Sequence, residues 1–275
     1  MNKPTSHYFE GTPRLHYLEW NPHAHRTIVL VHGNSANAWW WQWVVAEMAE
    51  FHIIALDSRG HGDSAWVTPP AYTPAYYVED IARFIHGVLG RRKKPVLVGH
   101  SMGGLATLAF AARYPELAAG AVVIDAALTS SRGRDRYLSR LKALPVVTYP
   151  DLETAVKRFR LIPDEGEIPR ERLDAIAHRS LMRTEHGRYT LKFDRESFFG
   201  GDGLPAMEVA KEIRIPTLLV RAEKSRILTH EAVSAAVEAN QHLGAIEIYG
   251  AHHHVLLEKP VETADVIVQF ARRHL

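Results

Sequence analysis

The sequence predicts an α/β protein: a mostly parallel central sheet flanked by helices, with a mainly helical segment inserted between the sixth and seventh core strands. Three observations lead there. Short apolar runs of strand character at 27–31, 53–56, 96–98, 121–124 and 216–220 alternate with runs of helical period, the rhythm of repeated strand–helix–strand crossovers. Those runs are apolar without a break, as strands must be when helices cover both faces of a sheet. The rhythm then stops between residues 128 and 212, where the chain is polar, helical in pattern and free of any buried-type strand. The expected division is a core of residues 1–127 and 213–275, with residues 128–212 forming a cap over the sheet edge where functional loops gather.

Composition narrows the function classes. With 275 residues, of which 46% are hydrophobic, the chain can bury a full core. Its formal net charge is only +2 and its basic residues are spread along the chain, so no nucleic-acid or membrane partner is expected. The absence of cysteine excludes disulfides, thiolate metal sites and a cysteine nucleophile. The first twenty residues contain no apolar h-region, and no run approaches membrane-spanning length; a cytoplasmic protein is the expectation.

Taken in order, residues 7–10 and 15–20 alternate around Gly11-Thr12-Pro13 and read as an antiparallel edge hairpin. Strand 27–31 ends at His32-Gly33-Asn34, and a Trp-rich helix is expected over 38–50. Strand 53–56 leads into a polar turn holding Asp57, Arg59, His61 and Asp63, read as a brace for the neighbouring loops. Thr73 and Pro74 open a helix whose Tyr77, Ile81, Phe84, Ile85 and Val88 share one face, ending at Gly90. Arg91-Arg92-Lys93-Lys94 is a solvated basic loop before strand 96–98. Within the insertion, Asp151 caps one helix, Pro169 opens another and residues 187–193 look extended. The core resumes with strand 217–221, a helix from Thr229, strand 245–249 and a last helix beginning at Pro260.

The chemistry centres on Gly99-His100-Ser101-Met102-Gly103, which has the G-x-S-x-G form between a strand and an Ala/Leu-rich helix. A chain that turns from strand to helix within two residues forces the central residue into strained backbone, and side chains at 99 and 103 would collide there. Ser101 is thereby raised off the sheet, with the free amides of the next helix beside it. A serine hydroxyl needs a base, and that base needs an acid to orient it. His252, His253 and His254 follow the last strand and supply the imidazole; adjacent side chains diverge, so the run is a poor metal site, and neither metal nor cofactor is expected.

These motifs resemble those of the α/β-hydrolase fold superfamily, in its capped serine esterase-like branch. The resemblance rests on His32-Gly33-Asn34, on Asp57-x-Arg59-Gly60-His61-Gly62-x-Ser64, on the Ser101 segment, and on a late histidine followed by Glu258-Lys259-Pro260. The spacing to that last motif singles out His253. The resemblance also implies an oxyanion hole from the Asn34 and Met102 amides. His32, Gly33, Trp39, Trp40 and His100 then become candidates for the substrate pocket. The expected acid position is where the sequence departs from the pattern: Ala222-Glu223-Lys224-Ser225-Arg226 places a cation where most relatives have Asp. Some superfamily members carry the acid after the preceding strand, where this chain has Asp125; Glu223 is the alternative.

The implied activity is cleavage of a small-molecule carboxylic ester through an acyl-enzyme. Ser rather than Asp at position 101 argues against the dehalogenase and epoxide-hydrolase chemistries of the superfamily. Carbon–carbon bond hydrolysis of a dienoate or β-diketone uses the same residues and stays open, as does a non-catalytic receptor role, which Arg226 favours.

Overall fold

The computed structural model describes residues 3–90, 93–198 and 204–275. Eight strands form the central sheet: β1 (Thr5–Phe9), β2 (Leu15–Trp20), β3 (Thr27–Val31), β4 (His52–Leu56), β5 (Val96–His100), β6 (Gly120–Ile124), β9 (Thr217–Ala222) and β10 (Leu243–Ile248). Their spatial order is β1-β2-β4-β3-β5-β6-β9-β10. β1 and β2 form the expected antiparallel hairpin, β2 lies antiparallel to β4, and every later pair is parallel. The two strands numbered between β6 and β9, namely β7 (Leu181–Arg183) and β8 (Tyr189–Leu191), form a separate antiparallel hairpin.

Every residue of β3, β4, β5 and β6 is buried, and alternate side chains feed two different cores. Val29, Val31, Ile54, Leu56, Leu97 and Val123 pack on one face, against α2 (Pro74–Phe84) and α3 (Met102–Arg113). Ile28, Leu30, Ile53, Ala55, Val98 and Val122 pack on the other, against α1 (Gln42–Val45) and the terminal helix α10 (Pro260–His274). Two-sided burial is why these strands read as unbroken apolar runs.

Three sequence expectations need correction or completion. The Trp-rich helix is not continuous over 38–50: a 3-10 turn (Ala38–Trp41) leads into the four-residue α1, and turns follow. Bulky aromatic and β-branched residues are poor helix formers, and the Asn37 side chain caps the Trp39 amide instead. Trp41 is thereby sent into the core beneath the sheet and Trp40 towards the insertion. The last strand is displaced to Leu243–Ile248, leaving Tyr249 exposed. Of the basic run at 91–94, Arg91 and Arg92 lie outside the described residues, while Lys93 and Lys94 are exposed.

Between β6 and β9 the chain forms α4 (Arg132–Ala143), α5 (Leu152–Arg158), α6 (Arg170–Ser180), the β7–β8 hairpin and α7 (Ala206–Glu212). Asp151 caps α5 through the Thr154 amide and Pro169 precedes α6, as the sequence leads one to expect. Ala155, Val156, Phe159, Ile176 and Ala177 form a small apolar cluster seated on Ala36, Trp40 and Leu257 of the sheet-bearing part. Backbone bonds add to this seam: Gly62 N donates to Lys192 O (2.8 Å) and Asp194 N to Gly60 O (2.7 Å). The chain closes with α8 (His230–Ala239), β10, the short α9 (Val255–Glu258) and α10.

Candidate active site

β5 delivers Ser101 and α3 starts at the next residue. Ser101 has φ 54°, in the left-handed region that disfavours side chains. The flanking glycines are steric necessities: a Cβ at Gly99 would lie 2.1 Å from Gly103 O, and one at Gly103 would lie 2.4 Å from His32 O and Val31 O. Within the 99–103 turn the strained residue is therefore the serine, held by Ser101 N donating to Ile124 O at 2.9 Å.

His253 lies in the loop between β10 and α9 and is buried. Its Nε2 is 3.0 Å from Ser101 Oγ and its Nδ1 2.7 Å from Asp125 Oδ2. Asp125, fully buried just past β6, also accepts from Ser225 Oγ (2.5 Å) and from the Ala222 amide (3.4 Å). The sequence placed Asp125, His253 and Ser101 at separate strand ends; folding brings them into one hydrogen-bonded chain. Glu223 is turned elsewhere, accepting from Gly250 N at 2.6 Å.

Burial sets the charge states. It pushes His253 down from 6.5 to about 4 and Asp125 up to about 6. At neutral pH the pair is a neutral imidazole beside a carboxylate, so Nδ1–H donates to Asp125 and the Nε2 lone pair faces the serine hydroxyl. This arrangement can take the proton of Ser101 as that oxygen attacks an electrophile.

The backbone of His253 is gripped from both sides. His100 Nε2 donates to His253 O (2.8 Å), and His253 N donates to Glu165 Oε1 (3.1 Å), a residue of the insertion. The neighbouring histidines are tied off separately. His254 Nε2 donates to Pro163 O (2.8 Å), while His252 meets Glu258 Oε2 through both its amide and its Nδ1 (3.2 and 3.0 Å). Burial lowers His100 and His254 to about 3, so both rings are neutral.

Above Ser101 opens a cavity of about 620 Å³, within the usual range for small-molecule sites. Gly33, Asn34, Trp40, His100, Met102 and His253 border it from the sheet side; Leu128, Tyr137, Leu138, Ile162 and Phe198 border it from the insertion. A Cβ at Gly33 would come within 3.1 Å of both His100 Nδ1 and Ser101 Cβ, so glycine lets this loop lie against the serine. Asn34 is held by its side chain, with Nδ2 donating to Ser197 O at 2.9 Å. Among the described residues, neither the Asn34 amide nor the Met102 amide meets an acceptor.

Two pocket candidates are displaced. Trp39 does not border the cavity: it stands outside under the Arg179 guanidinium, 3.8 Å from its ring centroid. In a 3-10 turn successive side chains point about 120° apart, so Trp40 alone faces inward, tilted against His254 at 5.7 Å. His32 is also off the cavity wall. Its Nδ1–H donates to Gly33 O (2.7 Å) and its Nε2 accepts from Ser58 N (3.0 Å), which shapes the loop from behind.

Ser225 and Glu165, which reach Asp125 and His253, were not singled out by sequence. Ser225 lies inside the segment where most relatives carry the acid, whereas a lone Glu in the insertion carries no signal. The polar turn after β4 braces its surroundings. Asp57 accepts from His16 Nδ1 (2.7 Å), Ala38 N (2.6 Å) and Asp63 N (2.8 Å). His16, Asp57 and Asp63 have ligand-type atoms within 4.8 Å of one another. Asp57 already accepts from these three partners and Asp63 Oδ1 from Lys192 Nζ (2.7 Å), which ties the cluster into the fold. No helix among the described residues is long and apolar enough to cross a membrane.

Comparison with known proteins matches residues 28–266 to a family described as "Alpha/beta hydrolase family". The chain is 29% identical over 270 residues to the lipase LipV of Mycobacterium tuberculosis, covering 92% of this chain and 96% of LipV. It is 26% identical over 247 residues to 2-(acetamidomethylene)succinate hydrolase of Mesorhizobium japonicum, covering 88% and 87% of the two chains. Among solved structures, E-2-(acetamidomethylene)succinate hydrolase aligns with a TM-score of 0.82 at 23% identity, over 98% of this chain and 99% of the other, a likeness of fold.

Proposed function

The chain belongs to the alpha/beta hydrolase family, and from that premise we propose that it is a serine hydrolase that cleaves a carboxylic ester through an acyl-enzyme. The observation that carries this reading is the unbroken relay from Asp125 through His253 to Ser101, at 2.7 and 3.0 Å, on the floor of the cavity. The names of LipV, a lipase, and of the Mesorhizobium enzyme, a hydrolase, add support of a coarser kind.

In the proposed mechanism Ser101 Oγ attacks the ester carbonyl while His253 Nε2 takes its proton. Asp125 holds the imidazole in the required tautomer and stabilises the imidazolium as it forms. The Asn34 and Met102 amides receive the oxyanion, each such donor being worth ~2.7–4 kcal/mol of barrier. His253 then protonates the leaving alcohol. In the second half it deprotonates a water that attacks the acyl-enzyme, releasing the acid and regenerating Ser101. Residues 128–212 serve as the cap that supplies the upper wall of the pocket and limits water around the oxyanion.

The test is covalent labelling by a fluorophosphonate, with adduct mapping and a Ser101→Ala control. A single adduct on Ser101, lost in the control together with p-nitrophenyl acetate hydrolysis, is expected. Absence of any adduct on Ser101 refutes the enzyme reading in favour of a non-catalytic role. A dienoate assayed beside the ester separates carbon–carbon cleavage from ester cleavage.

A further inference from the structure

Most charged side chains near the site are already committed. Asp125 and Glu165 hold His253, Glu258 holds His252, and Glu223 holds the Gly250 amide. Among the described residues, three charged residues stand on the cavity wall besides the catalytic ones: Arg134, Asp135 and Arg226. Arg134 donates from Nη2 to Thr129 O at 3.0 Å and has Asp135 3.9 Å from its Nε, so these two largely offset each other. Arg226 has no hydrogen bond and no ion pair among the described residues, and its side chain is exposed.

The backbone that carries Arg226 is nevertheless well fixed. Ser225 N donates to Ala222 O (3.0 Å), Ser225 Oγ donates to Asp125 (2.5 Å), and Ile227 N donates to Ser225 Oγ (3.1 Å). The backbone at Arg226 is thus held one residue from a direct contact of the Ser101–His253–Asp125 chain, while among the described residues the guanidinium donors have no partner. The cavity that Arg226 borders is also lined by the apolar Ile227, Leu128, Leu138, Ile162 and Phe198. A lone cation at the edge of a low-dielectric cavity concentrates anions there, and the planar fork of arginine matches the two oxygens of a carboxylate.

We propose that Arg226 is a substrate-binding residue and that the substrate is an ester carrying a free carboxylate, which the Arg226 guanidinium receives within the cavity above Ser101. This rests on the serine-hydrolase reading and narrows it to a substrate class. The carboxylate takes no part in the bond changes: the ester C–O bond breaks, water supplies the hydroxyl to the acyl carbon, and its proton leaves with the alcohol.

Two matched pairs of esters test the proposal, because the carboxylate could sit on either side of the scissile bond. One pair is p-nitrophenyl hemiglutarate and p-nitrophenyl pentanoate; the other is 3-acetoxybenzoate and its methyl ester. The wild type is expected to favour the anionic member of at least one pair, a preference that shrinks with added salt. In Arg226→Gln the anionic-to-neutral ratio of kcat/KM falls about tenfold or more, mainly through KM. Arg226→Lys retains part of the preference and Arg226→Glu reverses it. An unchanged ratio in Arg226→Gln, or a wild type with no preference in either pair, overturns the proposal while leaving ester hydrolysis intact. Failure of the serine-hydrolase reading looks different: the wild type cleaves none of the four esters and Ser101 takes no fluorophosphonate, and the substrate class falls with it.

Discussion

Replacing Asp125 by Asn separates chemistry from stability at a single buried position. The carboxylate accepts from His253 Nδ1–H at 2.7 Å, which leaves the Nε2 lone pair facing Ser101. Ser225 Oγ and His253 Nδ1 meet the same oxygen, Oδ2, whereas Ala222 N donates to Oδ1; an Asn whose oxygen keeps accepting from Ala222 places its NH2 at the Oδ2 position, where it faces Nδ1. The ring is driven to the opposite tautomer, and Nε2 then carries a hydrogen and cannot take the serine proton. A loss of kcat of ~10⁴-fold is expected, from the size of this effect in a serine-protease triad, equivalent to ~5.4 kcal/mol of barrier. Stability moves differently. Burial raises the Asp125 carboxyl from 3.8 to about 6, partly opposed by the Ser225 hydrogen bond. A group raised on folding stabilises fully below its unfolded value and loses that contribution as pH rises through its folded value. At pH 7 the folded protein therefore bears a cost of ~3 kcal/mol for the charge, which the neutral amide removes, less what the weakened bonds to Ser225 and Ala222 give back. In Asp125→Asn, Tm at pH 7 is expected to be no lower than wild type, and any advantage vanishes near pH 4. Steady-state kinetics on a p-nitrophenyl ester and thermal unfolding at both pH values measure the two effects. A kcat within tenfold of wild type, beside an inactive Glu223→Gln, refutes this account of the acid.

Because burial lowers His253 from 6.5 to about 4 and raises Asp125 to about 6, the acid limb of kcat/KM is expected between those values; a limb at or above 6.5 contradicts the argued charge states. Gly103→Ala pushes a methyl to 2.4 Å from two backbone oxygens and is expected to abolish soluble expression. Gly33→Ala, at 3.1 Å from Ser101 Cβ and His100 Nδ1, is expected to fold and lose kcat, and denaturant melts of both variants check the contrast. Removal of the Glu165 carboxylate in Glu165→Ala frees the His253 amide and is expected to lower kcat by ~10–100-fold with little change in KM. Glu165→Gln keeps an acceptor oxygen and restores most of the rate; equal loss in both variants would assign Glu165 a role through its charge instead.

The parts of this molecule that were legible in sequence are those where one local pattern has one physical solution. Unbroken apolar runs at 27–31, 96–98 and 121–124 require helices on both faces, and the structure buries every residue of those strands. Gly99 and Gly103 signalled a turn that no other residue type could make, and the contacts a Cβ would meet there explain why. Strand ends locate Ser101, Asp125 and His253 on one edge of the sheet from the sequence alone. What stayed hidden depends on contacts between distant backbones. The insertion is pinned by Gly62 N to Lys192 O and Asp194 N to Gly60 O, and peptide groups leave no mark on residue identity. Trp39 and Trp40 are indistinguishable in sequence; only the tightness of a 3-10 turn sends one under Arg179 and the other into the cavity. Glu165 reaches a main-chain amide, so nothing about its neighbours announced it.

The proposed placement of the acid at Asp125 and the exposure of Arg226 follow from the same piece of backbone. Ser101 and Asp125 are both side-chain-bearing residues at positive φ, 54° and 43°, at the ends of adjacent strands. Such residues cost of order 1–3 kcal/mol each and persist only where their surroundings hold them. Here the sheet ladder continues one step past the strands: Ser101 N donates to Ile124 O (2.9 Å) and Asp125 N to Val220 O (2.8 Å), which links β5 to β6 and β6 to β9. That step aims the Asp125 carboxylate under the His253 ring, and Ser225 from the β9 loop closes over it. With Nδ1 met from β6, the β9 loop need not supply a carboxylate to it, Glu223 being turned to Gly250 N instead, and a second carboxylate beside Asp125 would repel the first. Position 226 is released to face the cavity, and in this chain a cation occupies it.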